Sequence, residues 1–572
     1  MIDELKFSEI VKLNRTLANS LDKKEYNIAI LSNIMVHQLK DVLEYELRIN
    51  NVNANVKLGD YDNIVQDSNK LHNLDLAVIF WEAINIVDGL EYKASLLKET
   101  DFNNLVEKIK LEIDLVLSNL KSTSLIIVNK FSAAVFTHLL IEDNNLDKLV
   151  EIINIHLYSK SIANLKILDI NKILFKLSVN KSVDFRYYKS SKTLYSIDFY
   201  KEYVKMIKPI VLSSTGNIKK ALIFDCDNTL WKGIIGEDGI DGIEIYHEIQ
   251  FIAIELAKKG VILGLCSKNN LSDVNEVLSK HEDMILNDSD IVIKKINWEN
   301  KATNLINIAK ELNIGIDSIV FVDDSSFEIN LIKEKIPQIL TVQVPVKRDE
   351  YLTTMLELVN MFYVMSATKE DSKKNAMYKE EILRTNSQDS FEKIDDYLNS
   401  LDLEIELHLE CNHIIPRLSQ MTQKTNQFNL TTKRYTENDI HRFINDEKCI
   451  VMAIGVNDKF GESGITGLCI IRINDNIANI DTMLMSCRII GRKIEYKYMD
   501  LIINELNERD IEILNSKYIK TVKNEQVEDL YDKFGFSAIQ TDDKSIKKYN
   551  LNIKEYKMNN INYIGVVNGS NS

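Results

Sequence analysis

Residues 221–229 read Ala221-Leu222-Ile223-Phe224-Asp225-Cys226-Asp227-Asn228-Thr229. Four apolar residues in a row, closed by two carboxylates two positions apart, read as a strand buried on both faces, the pattern of a parallel sheet. In open α/β sheets ligands bind at the carboxyl end of such strands. Two carboxylates there have a use: one attacks phosphorus, the other protonates the leaving oxygen and then activates water. They and a phosphoryl group repel one another, so a hard cation with oxygen ligands is needed, and Mg²⁺ fits.

Working outward, Val261 to Cys266 and Ile319 to Val322 are two more apolar strands. Helical segments, about Glu248 to Lys259 and Lys301 to Leu312, lie between them. Each landmark brings a polar group. Ser267, with Lys268 beside it in SKNN, closes one strand and is placed to bind phosphate oxygens. Lys301 opens a helix and offers charge to the phosphoryl group. Asp323-Asp324 closes the third strand and supplies further metal ligands. A lone Ser267 reads equally well as a helix cap.

Before this unit the chain alternates apolar strands (Tyr26 to Leu31, Ala54 to Leu58, Leu76 to Phe80, Leu125 to Val128) with helical stretches, which predicts another parallel α/β domain. The small-polar run Ser213 to Asn217 marks a boundary. Residues 349–400 are helical and highly charged and read as a connector, with Lys369 to Glu381 as a solvated face. Strands at Leu403 to Leu409, Cys449 to Val456, Gly464 to Ile473 and Ala478 to Met485, then a helix from about Lys493 to Asn507, predict a mostly antiparallel α+β domain.

The 572 residues suit several domains, and 45% hydrophobic with 27% charged residues is ordinary globular composition. A net charge of −15 gives no overall basic footprint, so a nucleic-acid partner is not expected. The amino terminus lacks a basic start followed by an apolar run, and no stretch is long enough to span a bilayer, so the expectation is a cytoplasmic protein without a membrane partner. The 6 cysteines show no CxxC spacing, so no zinc ribbon is expected.

DxDxT, strand-Ser, helix-Lys and strand-Asp-Asp, in that order, resemble the four motifs of the haloacid dehalogenase (HAD) superfamily. The resemblance implies that Asp225 is the nucleophile and Asp227 the acid/base, with its main-chain carbonyl on Mg²⁺. Thr229 would support the loop, and Ser267 and Lys268 would bind phosphate. Lys301 would neutralise charge, and Asp323 and Asp324 would complete the metal site. The span leaves room for a small cap or none.

The longer strings narrow the likeness. DCDNTLWKGIIGEDGIDGIEI, LCSKNN, FVDDSSFE (Phe321 to Glu328), KTNQFNLTTKRY (Lys424 to Tyr435) and MSCRIIGRKIE (Met485 to Glu495) resemble FkbH-like proteins over essentially the whole chain. That family implies an α/β multidomain chain: an SGNH-hydrolase-like domain at 1–215, a HAD domain at 218–348, the connector at 349–400, a GNAT-like acyltransferase domain at 401–550 and a tail at 551–572. The implied reaction removes phosphate from D-1,3-bisphosphoglycerate and loads the glyceryl group as a thioester on an acyl carrier protein, in secondary-metabolite biosynthesis. The alternatives are a phosphatase of a soluble phosphorylated metabolite and a non-catalytic scaffold.

Within the GNAT-like region, Arg488, Gly491 and Arg492 resemble the loop that binds pyrophosphate or a phosphopantetheine arm with backbone amides. Lys493 stands where a small residue is expected, which favours a carrier-protein arm over acetyl-CoA. Cys487 beside this loop is the candidate acyl-bearing thiol. Cys226 is the lower-ranked thiol, because flanking carboxylates should raise its pKa and the strand pleat should turn it away. Ser32 and Asn33 stand where an SGNH nucleophile would follow the first strand. The DxxH element is absent, and Asp184-Phe185-Arg186-Tyr187 has tyrosine where histidine is needed, so this domain is expected to dock or shape rather than hydrolyse.

Overall fold

The computed structural model describes residues 2–21, 24–72, 74–136, 144–162, 164–365, 368–388, 391–543, 545–559 and 561–569. The chain divides into two compact units, residues 1–215 with 436–439, and the remainder.

The first unit holds five parallel strands: β1 (Tyr26–Ser32), β2 (Ala54–Leu58), β3 (Leu76–Phe80), β4 (Leu125–Asn129) and β5 (Leu165–Leu168). Their order is β2-β1-β3-β4-β5, so chain direction across the sheet switches between β1 and β3. LAVIF and LIIVN are buried along their whole length, as central parallel strands must be.

The second unit holds two sheets. The first takes β6 (Ala221–Phe224), β9 (Ile262–Ser267), β10 (Ile293–Ile296), β11 (Ile319–Asp323) and β12 (Leu340–Gln343), all parallel, in the order β10-β9-β6-β11-β12. Alternation along the strands builds a core on each face: Leu222, Phe224, Leu263, Leu265, Val320 and Val322 on one, and Ala221, Ile223, Ile262, Ile319 and Phe321 on the other. After β6 comes a short hairpin, β7 (Trp231–Lys232) with β8 (Glu244–Ile245), whose connection holds the one-turn helix Ile235–Asp238, so the cap is small.

The second sheet has eight strands. These are β13 (Leu403–Leu409), β14 (Cys449–Asp458), β15 (Gly461–Asn474), β16 (Ile477–Met485), β17 (Ile513–Ile519), β18 (Ser537–Ile539), β19 (Ile546–Asn552) and β20 (Ile564–Asn568). Their order is β18-β19-β17-β16-β15-β14-β13-β20. β13 to β16 form an antiparallel run. The helix Ile494–Glu508 packs Tyr498, Met499, Ile502 and Leu506 on one face. The helix Ile415–Lys424 packs Leu418 and Met421 on the other. β16 and β17 pair in parallel only at Ile477–Asn479. Beyond that they diverge, and residues 428–430 cross the gap: Leu430 N donates to Met483 O at 3.1 Å, Met485 N to Phe428 O at 3.0 Å, and Ile519 N to Leu430 O at 2.8 Å.

Two expectations are corrected. Residues 551–572 are not simply a tail, because Ile564–Asn568 runs parallel to β13 and extends the sheet. The charged stretch is not a solvated connector. In the helix Lys369–Gln388, Tyr378 is buried in the core of the parallel sheet, and Arg384 is buried with its guanidinium on Asp458 of β14 at 2.7 and 2.8 Å. Asp371 is buried against Lys424 at 2.9 Å. The helix packs on both sheets of this unit: its ion pairs, Asp371 with Lys424 and Arg384 with Asp458, reach the antiparallel-sheet side, whereas Tyr378 enters the core of the parallel sheet. Among the described residues, no helix is long and apolar enough to cross a membrane.

Candidate active site

The carboxyl ends of β6, β9 and β11 meet at the point where the strand order reverses. Asp225 follows β6, Asp323 closes β11, and Ser267 closes β9. The Lys301 ammonium, carried by the first turn of the helix Lys301–Glu311, sits between the first two, 3.0 Å from Asp225 Oδ1 and 2.7 Å from Asp323 Oδ2. All three are nearly inaccessible, at 5%, 0% and 4% exposure for Asp225, Asp323 and Lys301. Burial works against the Lys301 charge, but the two carboxylates hold its pKa well up.

The carboxylates themselves remain under-compensated. Burial and the charge of Asp225 push both Asp323 and Asp324 above the ordinary carboxylate range, with Lys301 opposing. Asp225 Oδ1 is buried and receives no hydrogen bond besides its ion pair to Lys301. Oxygen atoms of Asp225, Asp323 and Asp324 lie within 4.8 Å of one another. An all-oxygen donor set in which three carboxylates share one ammonium fits a hard divalent cation.

Asp227 is held differently. Its Oδ1 accepts from Trp231 Nε1 at 2.9 Å and from Ile235 N at 3.1 Å, and its Oδ2 accepts from Asn269 Nδ2 at 2.9 Å. The small hairpin that carries Trp231 therefore aims this carboxyl. Asn228 between them takes the left-handed conformation, φ 52°, and its side chain accepts from Gly233 N at 3.1 Å. Thr229 braces the turn through its main chain, where its N donates to Cys226 O at 3.1 Å and its O accepts from the buried Tyr351 hydroxyl at 3.0 Å.

Asn269 also reaches Ser267 Oγ at 3.3 Å, so SKNN ties Asp227 to the carboxyl end of β9. Asn269 and Trp231 lie in the motif strings, but nothing in their spacing marks either as a partner of Asp227. Lys268 is engaged at 2.7 Å with the buried Glu328, an ion pair the sequence reading did not expect. Cys226 is fully buried, and burial followed by the Asp225 charge pushes its thiol well above the ordinary value, so it is a poor nucleophile.

Cys487 lies elsewhere. It follows β16 and is partly exposed, lining a cavity of about 440 Å³. Tyr378 lines the same cavity. Lys424, Asn426, Gln427 and Phe428 of the KTNQFNL segment line the same cavity. Arg488 and Arg492 are buried and engaged inside the protein. Arg488 donates to Ser486 Oγ at 3.3 Å and Ser463 O at 3.4 Å, whereas Arg492 pairs with Asp458 at 3.3 Å and with Glu381. Gly491 takes φ 87° beside them, which only glycine adopts without strain. Arg488 faces the cavity, and Arg492 is a structural ion-pair residue.

In the first unit, Ser32 Oγ accepts from Ile34 N at 3.1 Å. Asn33 exchanges two hydrogen bonds of 2.8 Å with the main chain of Glu82. Asp184 caps a short helix and pairs with Arg186, so it does not serve as part of a base for Ser32.

No protein-family model matches the chain, and no curated protein matches it. Among solved structures, the N-terminal part of the protein BF1531 from Bacteroides fragilis, which contains a phosphatase domain and was crystallised with Mg, is 25% identical. That match covers 63% of this chain and 100% of the other, with a TM-score of 0.54. The ribosomal-protein-S18-alanine N-acetyltransferase of Escherichia coli is 13% identical over 27% of this chain and 97% of its own, with a TM-score of 0.21. An N-acetyltransferase from Staphylococcus aureus Mu50 is 15% identical over 26% of this chain and 99% of its own, with a TM-score of 0.20. The chain is thus a multidomain α/β protein, similar over 63% of its length to a structure that contains a phosphatase domain.

Proposed function

We propose that the chain is a Mg²⁺-dependent phosphatase coupled to acyl transfer, which dephosphorylates D-1,3-bisphosphoglycerate and loads the glyceryl group as a thioester on an acyl carrier protein. The observation that carries the phosphatase half is the Lys301 ammonium wedged between Asp225 and Asp323, with Asp227 aimed beside them by three donors. An Asp225 oxygen attacks phosphorus as the bond to the leaving oxygen breaks. Asp227 hands its proton to that oxygen, then takes one from the water that opens the aspartyl-phosphate. Two of the donors to Asp227 occupy Oδ1 and one occupies Oδ2, so a lone pair on Oδ2 stays free to carry the proton. Lys301 and the amides near Ser267 balance the phosphoryl charge. Asp225, Asp323, Asp324 and the Asp227 main-chain carbonyl would hold Mg²⁺, as the Mg-bound relative suggests, and the cation would neutralise the charge that accumulates in transfer.

For the acyl half, Cys487 is favoured over Cys226 because it alone opens onto a cavity large enough for a small ligand. Its thioester would keep the acyl group activated for exchange with the phosphopantetheine thiol. The test is incubation of the full chain with carbon-labelled bisphosphoglycerate, with and without a holo carrier protein. Label on the carrier is the expected result, and Cys487→Ala should lose it while still releasing phosphate. Phosphate release with no labelled carrier would instead identify a phosphatase of a soluble metabolite, and neither product would identify a scaffold.

A further inference from the structure

Two motif strings that the phosphatase site leaves unused, KTNQFNLTTKRY and MSCRIIGRKIE, meet at the opening between β16 and β17. The two strands pair only at residues 477–479, so beyond that point each turns a row of main-chain N–H and C=O groups toward a gap. A ligand with amide groups along its length, such as a pantetheine arm, could enter such a gap as an added strand. β16 then leads through residues 488–493 into the helix Ile494–Glu508, whose first N–H groups would face the phosphates of the same ligand.

The residues present fit that ligand in neither half. The gap holds Phe428, Asn429 and Leu430, at 4%, 0% and 0% exposure. Leu430 N donates to Met483 O and Met485 N to Phe428 O on one edge, and Ile519 N donates to Leu430 O on the other, so the segment is bonded to both strands. Side chains lock it further. Asn429 Oδ1 accepts from Thr432 N at 2.8 Å, and Asn429 O accepts at 2.9 Å from Nδ2 of the fully buried Asn524. Thr431 Oγ1 donates to Asp481 O at 3.2 Å. At the helix end the cations are engaged within the protein. Arg492 pairs with Asp458 at 3.3 Å and with Glu381, and Lys493 pairs with Asp395 at 3.0 Å, whereas Arg488 faces the cavity. Glu495, the second residue of the helix, adds a carboxylate, and its Oε2 is buried without a hydrogen bond among the described residues. Burial pushes that carboxyl above its ordinary range. A diphosphate at this helix end would meet cations already paired and a further carboxylate in the first turn.

We infer that residues 424–435 are a built-in occupant of the place an arm would take, so that this sheet binds neither acyl-CoA nor the arm of a carrier protein between β16 and β17. The segment makes the bonds an arm would make, and it also fixes the turn that carries Cys487. Met485 N is held on Phe428 O at 3.0 Å, two residues before the thiol, and Ser486 N is held on Thr466 O at 2.7 Å. Phe428 is at the same time a wall of the cavity at Cys487, with residues 424–427 beside it. One part of the segment closes the gap and the adjoining part lines the cavity. On the proposed function, an acyl group bound for Cys487 therefore comes through that cavity, whose lining includes the exposed Val522, and not along the sheet. That consequence rests on the proposed function; the closure of the gap does not.

The test is hydrogen exchange in the full chain, resolved to single amides, first with CoA and then after alkylation of Cys487 by a pantetheine analogue with a chloroacetamide in place of its thiol. The amides of Leu430, Met485 and Ile519 report on the gap. CoA at about 1 mM should leave their exchange within about twofold. In the alkylated chain the same three amides should again stay within about twofold, while the cavity-lining residues 424–427 and 522–523 slow at least about fivefold. Exchange at Leu430 and Ile519 that rises about tenfold or more in the alkylated chain would show a segment that yields its place to an arm, and would overturn the inference. So would saturable CoA binding, with Kd tighter than about 100 µM, that changes exchange at the three amides. CoA binding that leaves the three amides unmoved lies elsewhere and agrees with a closed gap. If Cys487 resists the reagent, the CoA titration decides alone. Neither readout needs phosphate release or carrier loading, so a failure of the proposed function would leave the closed gap standing, and an open gap would leave the phosphatase reading intact.

Discussion

The two parallel sheets of this chain place polar residues at the same kind of position and do different things with them. In the first unit the strand order switches beside β1, whose end carries Ser32 and Asn33. In the second it switches beside β6, whose end carries Asp225 and Asp227. At the first switch the described polar groups partner each other. Ser32 accepts a main-chain N–H, Asn33 bonds both ways with Glu82, and the Glu82 carboxyl accepts from the Tyr195 hydroxyl at 2.8 Å. At the second switch three carboxylates crowd one lysine, and Asp225 Oδ1 has only that ammonium as its partner among the described residues. A switch point is a place for chemistry; groups that their own protein leaves unsatisfied show that the place is used.

The sharpest way to break this contrast is Asp225→Asn. The amide cannot form the phosphoryl bond, and phosphate release should fall by about 10⁵-fold or more. Asp323 still partners Lys301 in the variant, so thermal melting should move by only a few degrees. Near-normal turnover would put the nucleophile elsewhere.

The second prediction uses the closed character of the first unit. Burial pushes the Glu82 carboxyl up to about 8, against its hydrogen bond from Tyr195. An unfolded chain ionises the same group near its ordinary value of about 4.5. Between these values the folded state binds a proton that the unfolded state does not, so stability falls as pH rises, by about 1.4 kcal/mol per pH unit and at most about 4 kcal/mol between pH 5 and 8, and then levels off. Hydrogen exchange across Leu76–Phe80 in the full chain, normalised to intrinsic rates, should show this slope, and Glu82→Gln should flatten it. A flat wild-type profile would mean that Glu82 is ionised in place.

A smaller effect belongs to the aim of Asp227. Trp231→Phe removes one of its three donors and keeps most of the buried ring. Turnover should drop about tenfold to thirtyfold, the scale of one hydrogen bond to a charged group. An unchanged rate would leave Ile235 N and Asn269 as the residues that position the acid/base.

How much of this is legible before folding follows from how local the signals are. The strand ALIF and its carboxylates are adjacent in sequence, and each of Ser267, Lys301 and Asp323 marks the end or start of its own element, so the site is readable from order alone. The helix Lys369–Gln388 is not. Its charges look solvated until Arg384 meets Asp458, 74 positions away, and Asp371 meets Lys424. β20 is missed for the same reason: Ile564–Asn568 is short and gains its place only by pairing with β13. The cavity at Cys487 is the extreme case. Lys220, Lys374, Arg417 and Arg488, which line it, come from four distant segments.

The smallest expected effect tests the other side of the comparison. If the first unit hydrolyses a substrate, Ser32 is the residue placed to do it, at the end of β1 beside the strand-order switch. A serine nucleophile needs a base on its hydroxyl. Here the hydroxyl oxygen accepts a main-chain hydrogen bond from Ile34, two residues on, a local turn closure that any small polar side chain makes. Ser32→Ala should remove that bond, at about 0.5–1.5 kcal/mol of local stability, and leave phosphate release and carrier loading within about twofold of the parent. Steady-state phosphate assays at matched folded concentration check the first and mass spectrometry of the carrier the second. A loss of loading larger than tenfold with the melting transition unmoved would show that the first unit takes part in the chemistry, and the contrast between a satisfied switch point and an unsatisfied one would no longer separate an idle site from a working one.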